Sequence, residues 1–448
     1  MKFGGTSVGS AERIAAVADR VRERLDRKPV VVVSALSRVT DLLIRAANDA
    51  LAGSSDWEAA TGELLSRHRT VVAELVPTGP ARDGLLSHLS SVLSDLRGFY
   101  SAVQSLGELT PRTLDAIAAV GERLSYEIVA AALGARGIPA RAVDARTVIV
   151  TDESFGRALP LMDETARRAR DVLLPAIQDG SVPVLPGFIG STARGVTTTL
   201  GRGGSDWSAA VVGAALSAEE IQIWTDVDGM MTVDPRVVPG AKVMREATFD
   251  EAAELAYFGA KVLHPATIKP AVERGIPVRI LNSLNPEAPG TLITGHADAA
   301  RGQPRAIAFK KGISVVLIAQ PRMLMAYGFV ARVFEVFDRH RTPVDLIATS
   351  EVSISLTVDD ARSLPLIQGE LAALGDVKVL DRMAIVSVIG RGFIAQHGLA
   401  GRIFQALREV NIVMISFGAS DVNISFVVGD DEAETAVRLL HRELFEAA

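Results

Sequence analysis

The 448-residue chain is predicted to be α/β, with a mainly parallel central sheet between helical layers and a smaller duplicated region after it. Three observations predict this. Short β-branched runs alternate with amphipathic stretches between residues 140 and 280, as in sheets covered by helices on both faces. Glycine turns follow directly on several of those runs, where ligands bind in such sheets. Residues 328–358 align without gaps on 398–428, an offset of 70.

Composition narrows the function. A net charge of −6 and a pI near 5.8 argue against nucleic acid or an anionic membrane as the main partner. Apolar runs such as Val30 to Val33 are far too short to span a bilayer. Residues 1–20 lack the apolar core of a signal peptide, so the chain is expected in the cytoplasm. Without cysteine there are no disulfides, thiolate nucleophiles or cysteine zinc sites, and the seven histidines show no ligand spacing. No protein metal site is expected.

The chain opens on a glycine turn, Lys2-Phe3-Gly4-Gly5-Thr6-Ser7, with Thr6 or Ser7 placed to cap a helix beginning near Ala11. Residues 10–28 carry Ile14, Val17, Ala18, Val21 and Leu25 at helical spacing, and Pro29 ends that helix. Val30 to Val33 read as a buried strand, and Thr40-Asp41 open the next helix. Helices dominate from there to about residue 130, interrupted by a loop at Pro77 to Pro80. One of them, 112–133, contains Glu122 among apolar neighbours; it is either a surface residue or a partner for an ammonium group.

Strands are then expected at Ala140 to Asp144, Val148 to Thr151, Val182 to Ile189, Val196 to Leu200, Ile221 to Thr225 and Val278 to Ile280. Helices are expected over 161–178, over 205–217 and after Phe249. The most informative stretch is Val196 to Asp206. A short strand meets Gly201, Gly203 and Gly204, and Ser205-Asp206 fall where a helix N-cap belongs. Strand, glycine turn and helix N-terminus together form an anion cradle, with Arg202 as a fork for carboxylate or phosphate. The plain alternative is a tight turn with a solvated arginine. Neither a GxxxxGK[ST] loop nor a dinucleotide fingerprint occurs.

Asn285 to Gln303 is rich in Pro, Gly, Ala and Asp, and a domain boundary is placed there. Each later repeat reads strand, helix, strand, strand, helix. The first finishes with a strand near Val377 to Leu380, whereas the second ends inside its last helix. Its missing strand is expected from Ala306 to Lys310.

KFGGTSVG at 2–9, TTTLGRGGSD at 197–206, WTDVDG at 224–229, TVDPR at 232–236 and FGAKVLHP at 258–265 together resemble the aspartate kinases of the amino-acid kinase superfamily. The repeats resemble paired ACT domains, ferredoxin-like βαββαβ modules that bind amino acids at their mutual interfaces. The resemblance implies a catalytic domain over 1–290, an ACT domain over 312–380, and a second built from 304–311 with 381–448. It is nearest to the lysine-sensitive monofunctional type. The implied reaction phosphorylates the side-chain carboxylate of L-aspartate with ATP, giving 4-phospho-L-aspartate, the first step of lysine, threonine and methionine biosynthesis.

On that resemblance Lys2 neutralises the transferring phosphoryl group and Asp206 orients the lysine. Gly4, Gly5, Gly203 and Gly204 supply N–H donors. Arg202 clamps the α-carboxylate and Glu122 takes the ammonium, with Thr40, Phe188 and Ser205 lining the pocket. Lys2, Thr225, Asp226, Met231, Asp234, Arg236, Lys261 and Val262 belong to the ATP site, Met231 standing where relatives often carry tyrosine. Mg²⁺ is expected to arrive with ATP. Asp345 matches the position that accepts an effector's ammonium, with Met323, Val344, Thr349, Ser350 and Glu351 around it. L-lysine is the expected inhibitor, L-threonine the runner-up, and a homodimer the smallest inhibited species. Relatives carry several apolar residues before the lysine, so the expectation is that the natural chain starts upstream of Met1 or that the chain as given is less stable than a longer form. Competing readings are a kinase for glutamate, acetylglutamate or carbamate, an amino-acid sensor with a degenerate kinase domain, and a fragment of a kinase–dehydrogenase fusion.

Overall fold

The computed structural model describes residues 1–259, 265–295, 302–320 and 327–446. In chain order the first elements are β1 (Lys2–Phe3), α1 (Ala11–Arg22), β2 (Val31–Val33), α2 (Val39–Leu51), α3 (Asp56–Leu75), α4 (Pro80–Leu106), α5 (Pro111–Ala118) and α6 (Val120–Ala135). There follow β3 (Ala140–Ala142), β4 (Val150–Thr151), α7 (Met162–Gln178), β5 (Val182–Pro186), β6 (Ile189–Thr192), β7 (Thr197–Thr199), α8 (Gly204–Leu216) and β8 (Ile221–Thr225). β9 (Glu246–Thr248), α9 (Phe249–Phe258), α10 (Pro265–Glu273), β10 (Val278–Asn282) and β11 (Thr291–Thr294) complete this series.

The described residues divide into two compact units. The first holds Met1–Met230, Arg245–Ala247 and residues 265–295; the second holds Met231–Met244 and the described residues of 248–259 and 302–446. The main sheet runs β3-β5-β2-β1-β8-β10-β11-β9. Neighbours from β3 to β10 are parallel, and β11 turns antiparallel to β10. Lys2 and Phe3 sit centrally, paired with Val32 and Val33 on one side and Ile223 and Trp224 on the other.

Successive residues of a strand face opposite layers. Val182 and Val184 of β5 pack with Ile14, Val17 and Val21 of α1 and with Ile128 and Leu133 of α6. Leu185 packs with Leu173 of α7 and with Val211, Val212 and Ala215 of α8. Two-sided burial is why these strands read as continuous apolar runs rather than alternating ones.

Local expectations differ from the structure at several places; the helix expected over 112–133, for one, is two, broken at Ala119. The stretch Val182 to Ile189 is two strands, because Phe188 turns the chain at φ 67°. β7 joins β4 and β6 in a separate three-stranded sheet and runs antiparallel to β6, so it lies outside the parallel sheet. Ser10, not Thr6 or Ser7, caps α1 by accepting from the Arg13 N–H; the Ser7 hydroxyl instead lies 2.8 Å from Ser283 Oγ. The N-cap of α8 is Gly203, at φ 72°, which leaves Ser205 and Asp206 inside the first turn. A left-handed cap suits glycine, and it frees the Asp206 carboxylate for another partner.

In the second unit β12 (Pro304–Ala319), α11 (Phe329–Arg339), β13 (Ile347–Thr349), β14 (Ser353–Val358) and α12 (Leu364–Leu371) form the first repeat. β15 (Asp376–Gly390), α13 (Leu399–Ala406), β16 (Met414–Phe417), β17 (Asn423–Gly429) and α14 (Ala433–His441) follow. The strands make one antiparallel sheet, β13-β14-β12-β15-β17-β16. Ala306 to Lys310 pair with Ile389 to Ile385, beside the second repeat. Each repeat has its own apolar core, around Phe337 and Leu356 in the first and around Phe426 and Leu440 in the second.

Candidate active site

The carboxyl ends of the parallel strands in the first unit carry the predicted residues. β1 runs into Gly4-Gly5, β2 into Ser34-Ala35, β5 into Gly187-Phe188, and β8 into Asp226. One cavity of ≈ 300 Å³ lies there, lined by Lys2, Thr40, Glu122, Phe188, Arg202 and Ser205, with Gly203, Gly204 and Asp206. Ser34 and Gly201 also line it, and neither was singled out from sequence as a pocket residue.

Two ionised groups hold its floor. Lys2 Nζ lies 2.6 Å from Asp206 Oδ1, and both side chains are largely buried. The strand end places the lysine, the first turn of α8 places the aspartate, and the pair fixes the ammonium inside the cavity. Arg202 is exposed on the glycine turn and makes no hydrogen bond or ion pair among the described residues, so its fork is free for an anion. Phe188 is held in its left-handed conformation by Ser208, whose hydroxyl accepts from the Phe188 N–H at 2.9 Å and lies 2.9 Å from Gly204 O.

Glu122 is the polar residue with the most unusual surroundings. It lies in the first turn of α6, is 4 % exposed, and accepts from the Ala35 N–H at 3.1 Å through Oε1. Its Oε2 has no hydrogen-bond partner among the described residues. Burial pushes its carboxyl up to about 8, against the smaller opposing effect of the Ala35 hydrogen bond. A buried carboxyl with one unsatisfied oxygen facing a cavity calls for a cationic group. Ser125, one turn on, lies 2.7 Å from Ser34 O and keeps α6 against the end of β2.

The glycine donors need correction. The Gly4 N–H bonds to Trp224 O at 3.1 Å and the Gly204 N–H to Gly201 O at 3.0 Å, because one continues the β1 ladder and the other closes the α8 turn. The N–H groups of Gly5 and Gly203 have no acceptor among the described residues and are the ones left for an anion. Thr225 ends β8 and Asp226 follows it, the Thr225 hydroxyl donating to Asp226 at 3.3 Å. Among the described residues no group of three acidic, histidine or cysteine side chains is placed to hold a metal ion.

Met231, Asp234 and Arg236 belong to the second unit. Met231 bridges to Val243. Arg236 and Asp234 form a fork closed at 2.6 Å, with the Asp234 carboxylate also accepting the Arg236 N–H. Asp144–Arg146 and Asp360–Arg362 form the same Asp-x-Arg turn elsewhere, so this pairing is local turn chemistry and does not itself mark a nucleotide. Lys261, Val262 and Met323 lie outside the described residues.

Of the expected effector residues, Val344 packs on the first repeat's core and Asp345 follows it, before β13. Thr349 ends that strand, and Ser350 and Glu351 lie in the turn to β14, with Ser350 Oγ accepting from the Ser353 N–H at 3.1 Å. Asp345 already has a partner in the structure. The hydroxyl of Tyr257, on α9, donates to its Oδ1, and Lys310 Nζ stands 5.6 Å from the Tyr257 ring centre. Its Oδ2 is buried with no hydrogen-bond partner among the described residues, and burial raises the carboxyl above its ordinary range.

Residues 1–282 match the amino acid kinase family, and residues 386–444 match an ACT domain. The chain is 40 % identical to aspartokinase 2, chloroplastic, of Arabidopsis thaliana, over all of this chain and 84 % of the relative. The chain belongs to the aspartokinase family. Two solved members of that family share its fold. One is E. coli aspartokinase III in complex with aspartate and ADP in the R state, with TM-score 0.85, 36 % identity and 99 % of each chain covered. The other is the same enzyme with lysine and aspartate in the T state, with TM-score 0.82, 36 % identity, and 99 % of this chain and 98 % of that one covered. Among aspartokinases, then, the mainly parallel sheet, the glycine turns and the antiparallel ACT region are the expected architecture. The residue that sequence reasoning missed altogether is Asp115 on α5, buried at 2 % exposure against β7. A lone aspartate in an amphipathic helix gives no signal of such a role.

Proposed function

We propose that the protein is an aspartate kinase, transferring the γ-phosphoryl group of ATP to the side-chain carboxylate of L-aspartate. The observation that carries this is the polarity of the cavity: free Arg202 on one element, unsatisfied Glu122 on another, and Lys2 held by Asp206. An amino acid has the matching ends. Arg202 takes the α-carboxylate with two parallel hydrogen bonds, and Glu122 takes the ammonium as a carboxylate. The side-chain carboxylate then points to Lys2, whose charge offsets that developing on the transferred group. Asp206 aims the lysine, and the Gly5 and Gly203 N–H groups add donors. Thr40, Phe188 and Ser205 shape the walls. Positioning and neutralisation dominate, since donor and acceptor are both anionic.

For the nucleotide, Thr225 and Asp226 are the first-unit candidates; the reading of Met231, Asp234, Arg236, Lys261 and Val262 rests on the resemblance. Mg²⁺ enters as a partner of the ATP phosphates, bridging their oxygens. The E. coli enzyme bound to lysine and aspartate supports L-lysine as effector; its placement at the Asp345 cluster and the homodimer rest on the resemblance. No helix among the described residues is long and apolar enough to cross a membrane, and the cytoplasm, or an equivalent aqueous compartment, is the proposed place of action.

ADP release measured with L-aspartate, L-glutamate and buffer alone tests the reading. Turnover with aspartate alone is expected. Equal turnover with glutamate, or release that needs no amino acid, would replace it with a broader kinase or a sensor.

A further inference from the structure

The buried carboxylate of Asp115 joins three segments around the cavity. Its Oδ1 accepts from the Thr199 hydroxyl at 2.6 Å and its Oδ2 from the Thr199 N–H at 2.9 Å. The Gly156 N–H lies 3.0 and 2.9 Å from its two oxygens. No cationic side chain among the described residues pairs with it. A buried carboxylate held by neutral donors alone is a costly arrangement unless every donor is in register, so it specifies geometry.

What it places in register is the turn bearing Arg202. Thr199 ends β7, and its carbonyl accepts from the Ala158 N–H at 2.9 Å, so the loop through Gly156 is stitched to the strand on both sides of Asp115. Gly201, at φ +75°, follows two residues on, and a Cβ there would stand 3.1 Å from Gly156 O. The turn therefore rests on the loop that Asp115 holds. On the other side, α5 runs almost directly into α6, the Arg123 N–H bonding to Ala119 O, and α6 carries Glu122. Two consecutive helices joined at Ala119 thus hold Glu122 and, two turns earlier, grip the strand that leads to Arg202.

We propose that Asp115 is a positioning residue for amino-acid recognition, fixing the separation between the Arg202 guanidinium and the Glu122 carboxyl to the span of an α-amino acid. This rests on the reading of those two residues as the ends of the aspartate site. Asp115 touches neither substrate; it acts through Thr199, Gly156 and the glycine turn.

The test is steady-state kinetics with each substrate varied, on the full chain. Asp115→Asn keeps the volume but turns an NH₂ toward an N–H donor. It is expected to raise the KM for aspartate about tenfold or more, since misplacement by about 1 Å costs up to two orders of magnitude. The KM for ATP should stay within about twofold. Thr199→Val removes only the hydroxyl donor, and a smaller rise in the same KM is expected; Thr199→Ser restores the donor and the parent value. The two Thr199 variants carry the test if Asp115→Asn does not fold. Equal changes in both KM values, or a lowered Tm with unchanged aspartate KM, would overturn the proposal. So would equal kinetics for Thr199→Val and Thr199→Ser. Arg202→Ala separates the two claims. If it raises the aspartate KM while the Asp115 and Thr199 variants do not, the positioning role alone falls; if it leaves that KM unchanged, the site reading falls as well.

Discussion

Glu122 and Asp345 are two carboxylates in similar difficulty that the fold treats differently. Each has one oxygen hydrogen-bonded and one buried without a partner among the described residues, and each is raised by desolvation. Glu122 lines a cavity and, among the described residues, its carboxyl is met by backbone N–H groups, that of Ala35 first. Asp345 is covered by a side chain, the Tyr257 hydroxyl. A backbone partner is part of the scaffold and stays when ligand arrives. A tyrosine can rotate away. On the proposed reading the cavity at Glu122 is prepared for an ammonium group, whereas an effector at Asp345 would have to displace a partner first.

The largest expected effect lies at the proposed catalytic pair, Lys2 and Asp206. Lys2→Ala and Asp206→Ala should each leave a folded protein whose kcat falls at least about a hundredfold, since one preorganised contact to developing charge is typically worth about 3 kcal/mol. Near-parent turnover of the Lys2 variant would break the assignment.

Next comes the titration of Glu122. In the free protein it is neutral below about 8, while an ammonium group binds its ionised form. kcat/KM for aspartate should rise about tenfold per pH unit up to that value and then level, and Glu122→Gln should lower kcat/KM and flatten the profile. Stability moves the other way. The folded group's raised value, against 4.5 when unfolded, gives a contribution present below pH 4.5 and lost as pH rises through about 8. The Tm of Glu122→Gln relative to the parent should therefore climb across that window. A Tm difference independent of pH would mean that Glu122 is already paired with a charge.

At the second carboxylate, Asp345→Ala should weaken lysine inhibition by roughly 5–150-fold, the usual range of effector coupling. Inhibition as strong as in the parent would break the effector assignment. Tyr257→Phe should produce the smallest change and the opposite one. With its covering hydroxyl gone, Asp345 meets the effector directly, and the half-inhibitory lysine concentration should fall a few-fold, as for loss of one hydrogen bond. An unchanged value would show that the tyrosine does not compete.

Much of this was legible in the sequence where a residue's chemistry is local. Lys2, Arg202 and Asp206 stood out because glycine turns at strand ends are a short-range pattern. The main sheet followed from two-sided apolar strands. The missing parts depend on distance. Tyr257 and Asp345 are 88 positions apart, and Asp115 and Thr199 are 84 apart, so no window of sequence contains either contact. The break at Phe188 was invisible for another reason. A left-handed phenylalanine is strained alone and is held there by Ser208, twenty positions on. The α8 cap was misread because Ser and Asp are the commoner caps, and here the aspartate is committed to Lys2.

The long strands β12 and β15 have a consequence for how the regulatory half is made. Lys310 pairs with Ile385 and Ala306 with Ile389, so the second repeat takes a strand that the ribosome delivers before the first repeat begins. The second repeat waits for a strand that must be kept unpaired while the first is synthesised, and closing so long a loop slows folding. Cutting the gene between the repeats would yield a module whose β15 presents an open edge ready to pair with another chain. The second repeat is thus completed by residues that lie before the first in the chain.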